Sequence, residues 1–259
     1  MTLLNNTENP VTIFVASWGR PIYLWMCLDA LWRNTKTPKK VILLDNAHPD
    51  PLITEVIKGF ERRGLFSEVI RFSTNSFENI INAYQERLKA AGEWHVYMES
   101  DVVIKDEQYC WLTEMLNIVQ KTPSIGMLGS LIDTEDFIDK DTAIQLAGGN
   151  IESATFLAKL NSAERKFAND SKWINDSSLS FPAEIPCPIG NPPGRLMMLK
   201  TDVILEQGFS LDMKLAAIFR QKGFRPAITT RVRHRHLSLL NLYDYTAYSE
   251  IERNEFFDE

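Results

Sequence analysis

Residues 11–17 (VTIFVAS) form a short, β-branched apolar run that begins directly after Pro10. A run without polar alternation predicts a strand buried on both faces. Pro21 follows, and within residues 22–34 Leu24, Leu28, Leu31 and Trp32 recur at helical spacing. The pattern then repeats. Residues 41–45 (VILLD) predict a second buried strand, residues 52–63 an amphipathic helix, and residues 68–72 a third strand. Residues 77–91 predict a helix opened by the capping-type residues Asn75 and Ser76. A fourth strand over residues 94–98 runs into Glu99, Ser100 and Asp101; a helix over 108–120 and a strand within 124–132 complete the series.

Strands that alternate with helices of ten or more residues predict an α/β fold, a mainly parallel sheet with helices on both faces. In such sheets ligands sit beyond the carboxyl ends of the strands, so chemistry is sought just after each one. The alternation fails over residues 133–188, which hold acidic residues, the Gly148-Gly149 pair and a Ser/Asn-rich piece at 169–180. This stretch reads as an excursion within one domain. Order resumes with a strand at 194–200 (GRLMMLK), a helix at 211–222 and a last strand at 226–232. The aromatic and acidic residues from Asn241 onward read as a C-terminal extension packed on the body. No internal repeat or low-complexity tract is present.

Composition narrows the partners. Over 259 residues, 28 Lys and Arg against 34 Asp and Glu leave a net charge of -6, which argues against a long polyanion-binding surface and so against nucleic acid. Cys27, Cys110 and Cys187 are too few and too widely spaced for a disulfide framework or a zinc cluster, and they suit a reducing compartment. Residues 1–10 are polar and asparagine-rich, without a signal-peptide pattern, and read as a flexible N-terminus. No apolar run reaches the roughly 18 residues of a membrane helix. The expectation is a cytoplasmic protein, with peripheral attachment to a membrane surface left open.

The predicted strand ends carry the candidate chemistry. Ser17-Trp18-Gly19-Arg20-Pro21 offers a close backbone approach at Gly19 and a bidentate phosphate donor in Arg20; an ordinary strand-to-helix turn is the plainer account. Asp45-Asn46 places a carboxylate where a ribose hydroxyl or base N–H could be met, or serves only as a turn. Glu99 and Asp101 lie two apart in extended chain, so both carboxylates face one side and suit Mg²⁺ or Mn²⁺ with a substrate phosphate. Without a ligand, such acids require a cation such as Arg20. Arg231, Arg233, His234, Arg235 and His236 form the densest basic cluster; H-x-H puts both imidazoles on one face, toward a metal or phosphate, unless the cluster is a solvated strand edge.

In their order, these motifs resemble the nucleotide-sugar-dependent glycosyltransferases of the GT-A (Rossmann-like) fold, most closely the large family 2 group, over residues 11–236. VTIFVASWGRP is similar to the family's first strand and nucleotide loop, and VILLDNAHPD to its second strand. NSFENIINAY, with Asn75 and Asn82, resembles the asparagine-bearing helix that precedes the metal motif. WHVYMESDVVI looks like the strand of the D-x-D metal site, and GFSLDMKLAAIFRQKGFR is similar to the segment that holds the catalytic base. The resemblance implies one domain over 1–259, with an acceptor-side excursion at 133–193 and a C-terminal extension at 237–259. It implies a donor site of Ser17, Trp18, Gly19, Arg20, Asp45, Asn75, Asn82, Glu99 and Ser100, with Asp101 on Mn²⁺ or Mg²⁺ and either His234 or His236 as the metal or phosphate contact. Asp212 falls at the general base of inverting members. Asn191 and Gly194 fall on the acceptor side, and Trp18, Trp173 and Phe181 could stack on sugar rings.

Two departures stand out: the metal motif reads ESD, and Ser210-Leu211 stand where the base motif usually has a further acid before Asp212. Asp212 could equally serve the helix dipole. The implied activity is transfer of a sugar from a nucleotide-diphosphate donor, a UDP-sugar foremost, to a hydroxyl of a glycan or small glycosyl acceptor, with inversion, in polysaccharide biosynthesis. A sugar nucleotidyltransferase and a non-catalytic nucleotide- or sugar-binding module are the alternatives. SWGRP carries one glycine, which is weak for the nucleotidyltransferase loop.

Overall fold

The computed structural model describes residues 9–106, 108–132, 184–186, 195–210 and 212–237; for 132, 184–186, 212, 213 and 230 only the backbone is described. Strand β1 (Val11–Trp18), helix α1 (Pro21–Asn34), β2 (Lys39–Asn46), α2 (Pro51–Arg62) and β3 (Phe66–Arg71) follow the predicted alternation. They continue into α3 (Phe77–Leu88), β4 (Trp94–Glu99), β5 (Val102–Ile104), α4 (Trp111–Lys121) and β6 (Ile125–Ile132). Beyond them lie β7 (Glu184–Pro186), β8 (Leu196–Lys200), α5 (Thr201–Gln207), α6 (Asp212–Gln221) and β9 (Arg225–His236).

Nine strands form one sheet in the order β3-β2-β1-β4-β8-β6-β9-β5, with β7 also on β9. Strands β1 to β4 are mutually parallel, as expected of buried β-branched runs. Strand β8 then enters antiparallel between β4 and β6, and β9 runs parallel to β6 but antiparallel to β5 and β7. The order in which strands are added reverses at β1, where β2 lies to one side and β4 to the other, all three parallel. That is the topological switch point at which a crevice opens beyond the strand ends.

Period-two alternation divides each central strand between two cores. Val11, Ile13 and Val15 of β1 join Val41 and Leu43 of β2 against α1, α2 and α4, through Leu24, Leu28, Ile57, Phe60, Trp111 and Met115. Phe14, Ile42, Leu44 and Tyr97 face the other way, onto Tyr84 and Leu88 of α3, Ile204 of α5 and Phe219 of α6. The helices therefore lie on both faces of the sheet. Within residues 133–193, the described part is β7, which pairs with β9 along Glu184↔Thr229 to Pro186↔Ala227. No helix among the described residues is long and apolar enough to cross a membrane.

Candidate functional site

At the switch point the chain is bent tightly. Gly19 has φ of 61° and Arg20 has φ of 53°, the one non-glycine residue with positive φ among those described. A Cβ at Gly19 would come within 2.6 Å of the His48 ring, so glycine alone fits beneath that imidazole. Backbone in this region costs of order 1–3 kcal/mol for a residue such as arginine, a strain typical of ligand-binding turns. Pro21 then opens α1 with a preset φ and no wasted donor.

The bend aims Arg20 at Asp101, with Nη1 3.7 Å from Oδ2. Asp101 lies just past β4, and its side chain is 14% exposed. The Nε2 of His236 stands 3.2 Å from the same Oδ2. Glu99, the last residue of β4, receives Arg195 Nη1 at 2.6 Å. Ligand atoms of Glu99, Asp101 and His236 all lie within 4.8 Å of one another. Two carboxylates and an imidazole thus converge with two guanidiniums close by.

Pairing of β5 with β9 explains the choice of histidine. Val102 lies opposite His236 and Ile104 opposite His234, so the second imidazole is the one beside Asp101. Leu237 N–H also donates to the Asp101 carbonyl at 2.9 Å, fixing that register. His234 instead shares a 2.7 Å hydrogen bond between Nδ1 and Ser130 Oγ of β6. Both imidazoles are buried, so this part of the basic cluster is not a solvated edge. Arg231 lies with Nε 3.1 Å from Glu114 Oε2 and stacks over Tyr109.

The charges push the two acids apart. Burial opposes ionisation of Asp101, yet the neighbouring His236, with Arg195 and Arg20, holds its carboxyl well below the usual carboxylate range. Glu99 moves the other way: burial and the Asp101 charge raise it, against the pull of Arg195. Asp101 Oδ1 is buried with no hydrogen-bond partner among the described residues. An ionised carboxylate with a spare buried oxygen, beside a second acid and an imidazole, suits a divalent cation such as Mn²⁺ or Mg²⁺. The residues present fit that ion.

A second group of candidates flanks the first. Ser17 and Asp45, each one residue before the end of β1 and β2, stand in direct register. Both are buried, and Ser17 Oγ and Asp45 Oδ1 have no hydrogen-bond partner among the described residues. Arg71 Nε donates to Asp45 Oδ2 at 3.0 Å; burial raises the Asp45 pKa and Arg71 opposes that rise. Asn46 Oδ1 accepts the Ser76 N–H at 3.0 Å, and Asn46 Nδ2 donates to Asn75 Oδ1. Ser76 stands at the N-cap of α3 without a side-chain cap bond, correcting the expectation that it would cap the helix; Asn46 satisfies its N–H across the fold. Ser100 N–H donates to the Ala16 carbonyl, carrying the β1–β4 ladder to the site, and Trp18 is half-buried at the end of β1. Asn82 is exposed on α3.

Asp212 opens α6, but its carboxylate lies outside what is described, as do Asn191, Gly194, Trp173 and Phe181. Arg195, Arg71 and Asn46 belong to this neighbourhood although their strand-end motifs did not single them out for it. The one early signal was Asn46 following Asp45.

No protein-family model matches the chain, and no curated protein matches it in sequence. Solved structures do match. The mannosyltransferase PcManGT from Pyrobaculum calidifontis, in complex with GDP-Man and Mn²⁺, superposes with a TM-score of 0.55 at 14% identity, over 88% of this chain and 57% of that one. The fold is that of the GT-A-type glycosyltransferases. GalNAc-T7 with UDP, GalNAc and Mn²⁺ superposes with a TM-score of 0.58 at 12% identity, over 96% of this chain and 52% of the other. S. aureus TarS 1-349 gives 0.52 at 14% identity, over 91% and 63%. This GT-A-type chain thus spans between about half and two thirds of the length of these structures.

Proposed function

We propose that this protein is a glycosyltransferase that moves a sugar from a nucleotide-diphosphate donor, a UDP-sugar foremost, to a hydroxyl of a glycan or small glycosyl acceptor. One observation carries the reading. Glu99, Asp101 and His236 converge at the switch point of a GT-A-type fold, with Asp101 kept ionised and one of its oxygens unpartnered among the described residues. The similarity to structures holding GDP-Man or UDP together with Mn²⁺ supports both the donor class and the ion.

In this reading Asp101 and His236, with Glu99, hold the ion. A bound divalent cation supplies positive charge to the diphosphate as the sugar–phosphate bond breaks. Arg20 and Arg195 stand ready to add theirs as that charge grows. Ser17 and Asp45, buried at adjacent strand ends, supply acceptors for the nucleoside, and Arg71 orients Asp45. The acceptor hydroxyl oxygen bonds to the anomeric carbon, the bond to the phosphate oxygen breaks, and its electron pair leaves with the diphosphate. Asp212, at the head of α6, takes the hydroxyl proton in an inverting reaction. Residues 133–193 form the acceptor side, and 1–259 act as one domain. We further propose a cytoplasmic enzyme of polysaccharide biosynthesis.

Calorimetric titration of UDP and GDP, with and without Mn²⁺, on the wild type and on Asp101→Ala, tests this. Binding that requires both the ion and Asp101 is the expected result, and the tighter base identifies the donor. Absence of binding by either nucleotide under every metal condition overturns the reading. Release of pyrophosphate instead of nucleoside diphosphate in turnover would reassign the protein to the nucleotidyltransferases.

A further inference from the structure

Helices α1 and α2 leave an apolar groove of about 370 Å³ between them, on the outer side of the sheet. Ile22, Trp25, Leu52, Val56 and Phe60 give it an apolar lining, with Glu55 and Arg63 as its charged residues. Ile22 is 65% exposed, Leu52 57% and Trp25 43%, and Trp32 adds a fourth large exposed apolar side chain further along α1. Isolated exposed apolar residues are ordinary on a protein surface; a lined trough of them marks a binding face. Basic residues edge one end. Arg33 and Arg63 share the single carboxylate of Asp29, and Arg63 lies over both Trp32 and Phe60.

The groove lies one turn of chain from the contacts of Leu237, the last described residue. Leu237 N–H is bonded to the Asp101 carbonyl at 2.9 Å, and Asp101 pairs with Arg20 at 3.7 Å. Arg20 immediately precedes Pro21, which also lines the groove. Leu237, from which residues 238–259 continue, is thus tied through Asp101 to the turn that leads into the groove. Fully extended they reach about 70 Å, against about 21 Å for the whole of α1 with its 14 residues.

Their chemistry matches the trough. Leu242, Tyr243, Tyr245, Tyr248, Ile251, Phe256 and Phe257 offer apolar and aromatic anchors. Asp244, Glu250, Glu252, Glu255, Asp258 and Glu259 outnumber the one base, Arg253, so the segment is acidic where the groove's far end is basic. We propose that residues 238–259 dock into the α1–α2 groove of the same chain, crossing the Gly19–Arg20 turn on the way. Attachment at Leu237 makes the docking intramolecular, which raises the effective concentration far above that of any second copy. The net charge of -6 also works against an anionic lipid surface as the occupant.

Replacing Trp25 with the photo-crosslinker p-benzoylphenylalanine in the full chain tests this directly. Irradiation of dilute protein should yield intramolecular cross-links to peptides within 238–259. Leu52→Glu, at a position exposed enough to leave the fold intact, buries a charge in the groove and should cut their yield about tenfold. Cross-links between copies, cross-links confined to other parts of the chain, or a yield unchanged by Leu52→Glu would each overturn the proposal. So would co-sedimentation with phosphatidylcholine–phosphatidylglycerol vesicles that protects Trp25 from cross-linking to 238–259. None of these outcomes depends on nucleotide binding, so the proposal stands or falls apart from the transferase reading.

Discussion

Strand β4 carries a buried polar group near its start and a half-buried one at and just past its end, and the two are built differently. Near its start, His95 is wholly buried, with Nδ1 3.0 Å from Thr201 Oγ1 and Nε2 hydrogen-bonded to Tyr84 OH. Both ring nitrogens are used, and burial holds the imidazole down at about 3, so it stays neutral. Near its end, Glu99 and Asp101 face Arg20, Arg195 and His236, and one Asp101 oxygen has no hydrogen-bond partner among the described residues. A closed neutral network specifies packing; a charged one with spare coordinating capacity costs stability unless a ligand completes it. The contrast separates a structural histidine from a candidate site on the same strand.

The largest effect expected is at the charged end. Asp101→Asn keeps the shape and removes the ionised carboxylate, so transfer should fall by about 10³-fold, on the order of 4 kcal/mol of lost electrostatic stabilisation. Stability should fall as well, by about 2 kcal/mol, because the attraction of His236, Arg195 and Arg20 that keeps Asp101 ionised outweighs its repulsion with Glu99. Steady-state release of nucleoside diphosphate and urea unfolding on one preparation read both quantities. A large loss of stability with unimpaired turnover would make this end structural too.

His95→Ala should show the reverse, a loss of about 3 kcal/mol from the cavity and the stranded Tyr84 and Thr201 hydroxyls, with nucleotide affinity unchanged. The pH dependence sharpens the test. His95 has its pKa depressed from 6.5 to about 3 on folding, so the unfolded chain binds the extra proton between those values. Its contribution is full above the unfolded value and is lost as pH falls toward the folded one, by about 2 kcal/mol at pH 5. Urea melts at neutral pH and at pH 5 should therefore show the gap between wild type and variant narrowing by that amount. A gap that stays constant would mean that His95 is not held neutral.

Strand and helix positions were legible because β1, β2 and β4 are apolar on both faces and the helices keep their 3.6-residue stripe. The site was legible in its local parts, Gly19-Arg20, Asp45 and Glu99-Ser100-Asp101. What joins them was not. His234 and His236 share a face at period two, and only the register that sets Val102 opposite His236 separates them. Strand β5, three residues long, exists through its pairing with β9, more than 100 positions away in sequence, and no local periodicity announces it. Arg195 meets Glu99 because β8 runs antiparallel to β4, and Asn46 turns out to hold Ser76 rather than leave it to cap its own helix. Local propensity reads elements; long-range pairing assembles sites.

The smallest effect separates positioning from direct action at the charged end. Arg195 Nη1 lies 2.6 Å from Glu99 Oε2, and the Arg195 carbonyl accepts the Glu99 N–H at 2.9 Å, so backbone and side chain hold the same acid. Arg195→Met removes the side-chain hold alone. Glu99, already pushed toward protonation by burial, would then lose its main counter-charge and offer a weaker ligand. Apparent Mn²⁺ affinity in the presence of UDP should fall about tenfold, in the range seen when groups that orient metal ligands are removed. The loss should be greatest at acidic pH, where Glu99 protonates first, and Arg195→Lys should restore most of it. A drop in UDP affinity that is equal with and without Mn²⁺ would instead mark Arg195 as a direct diphosphate contact.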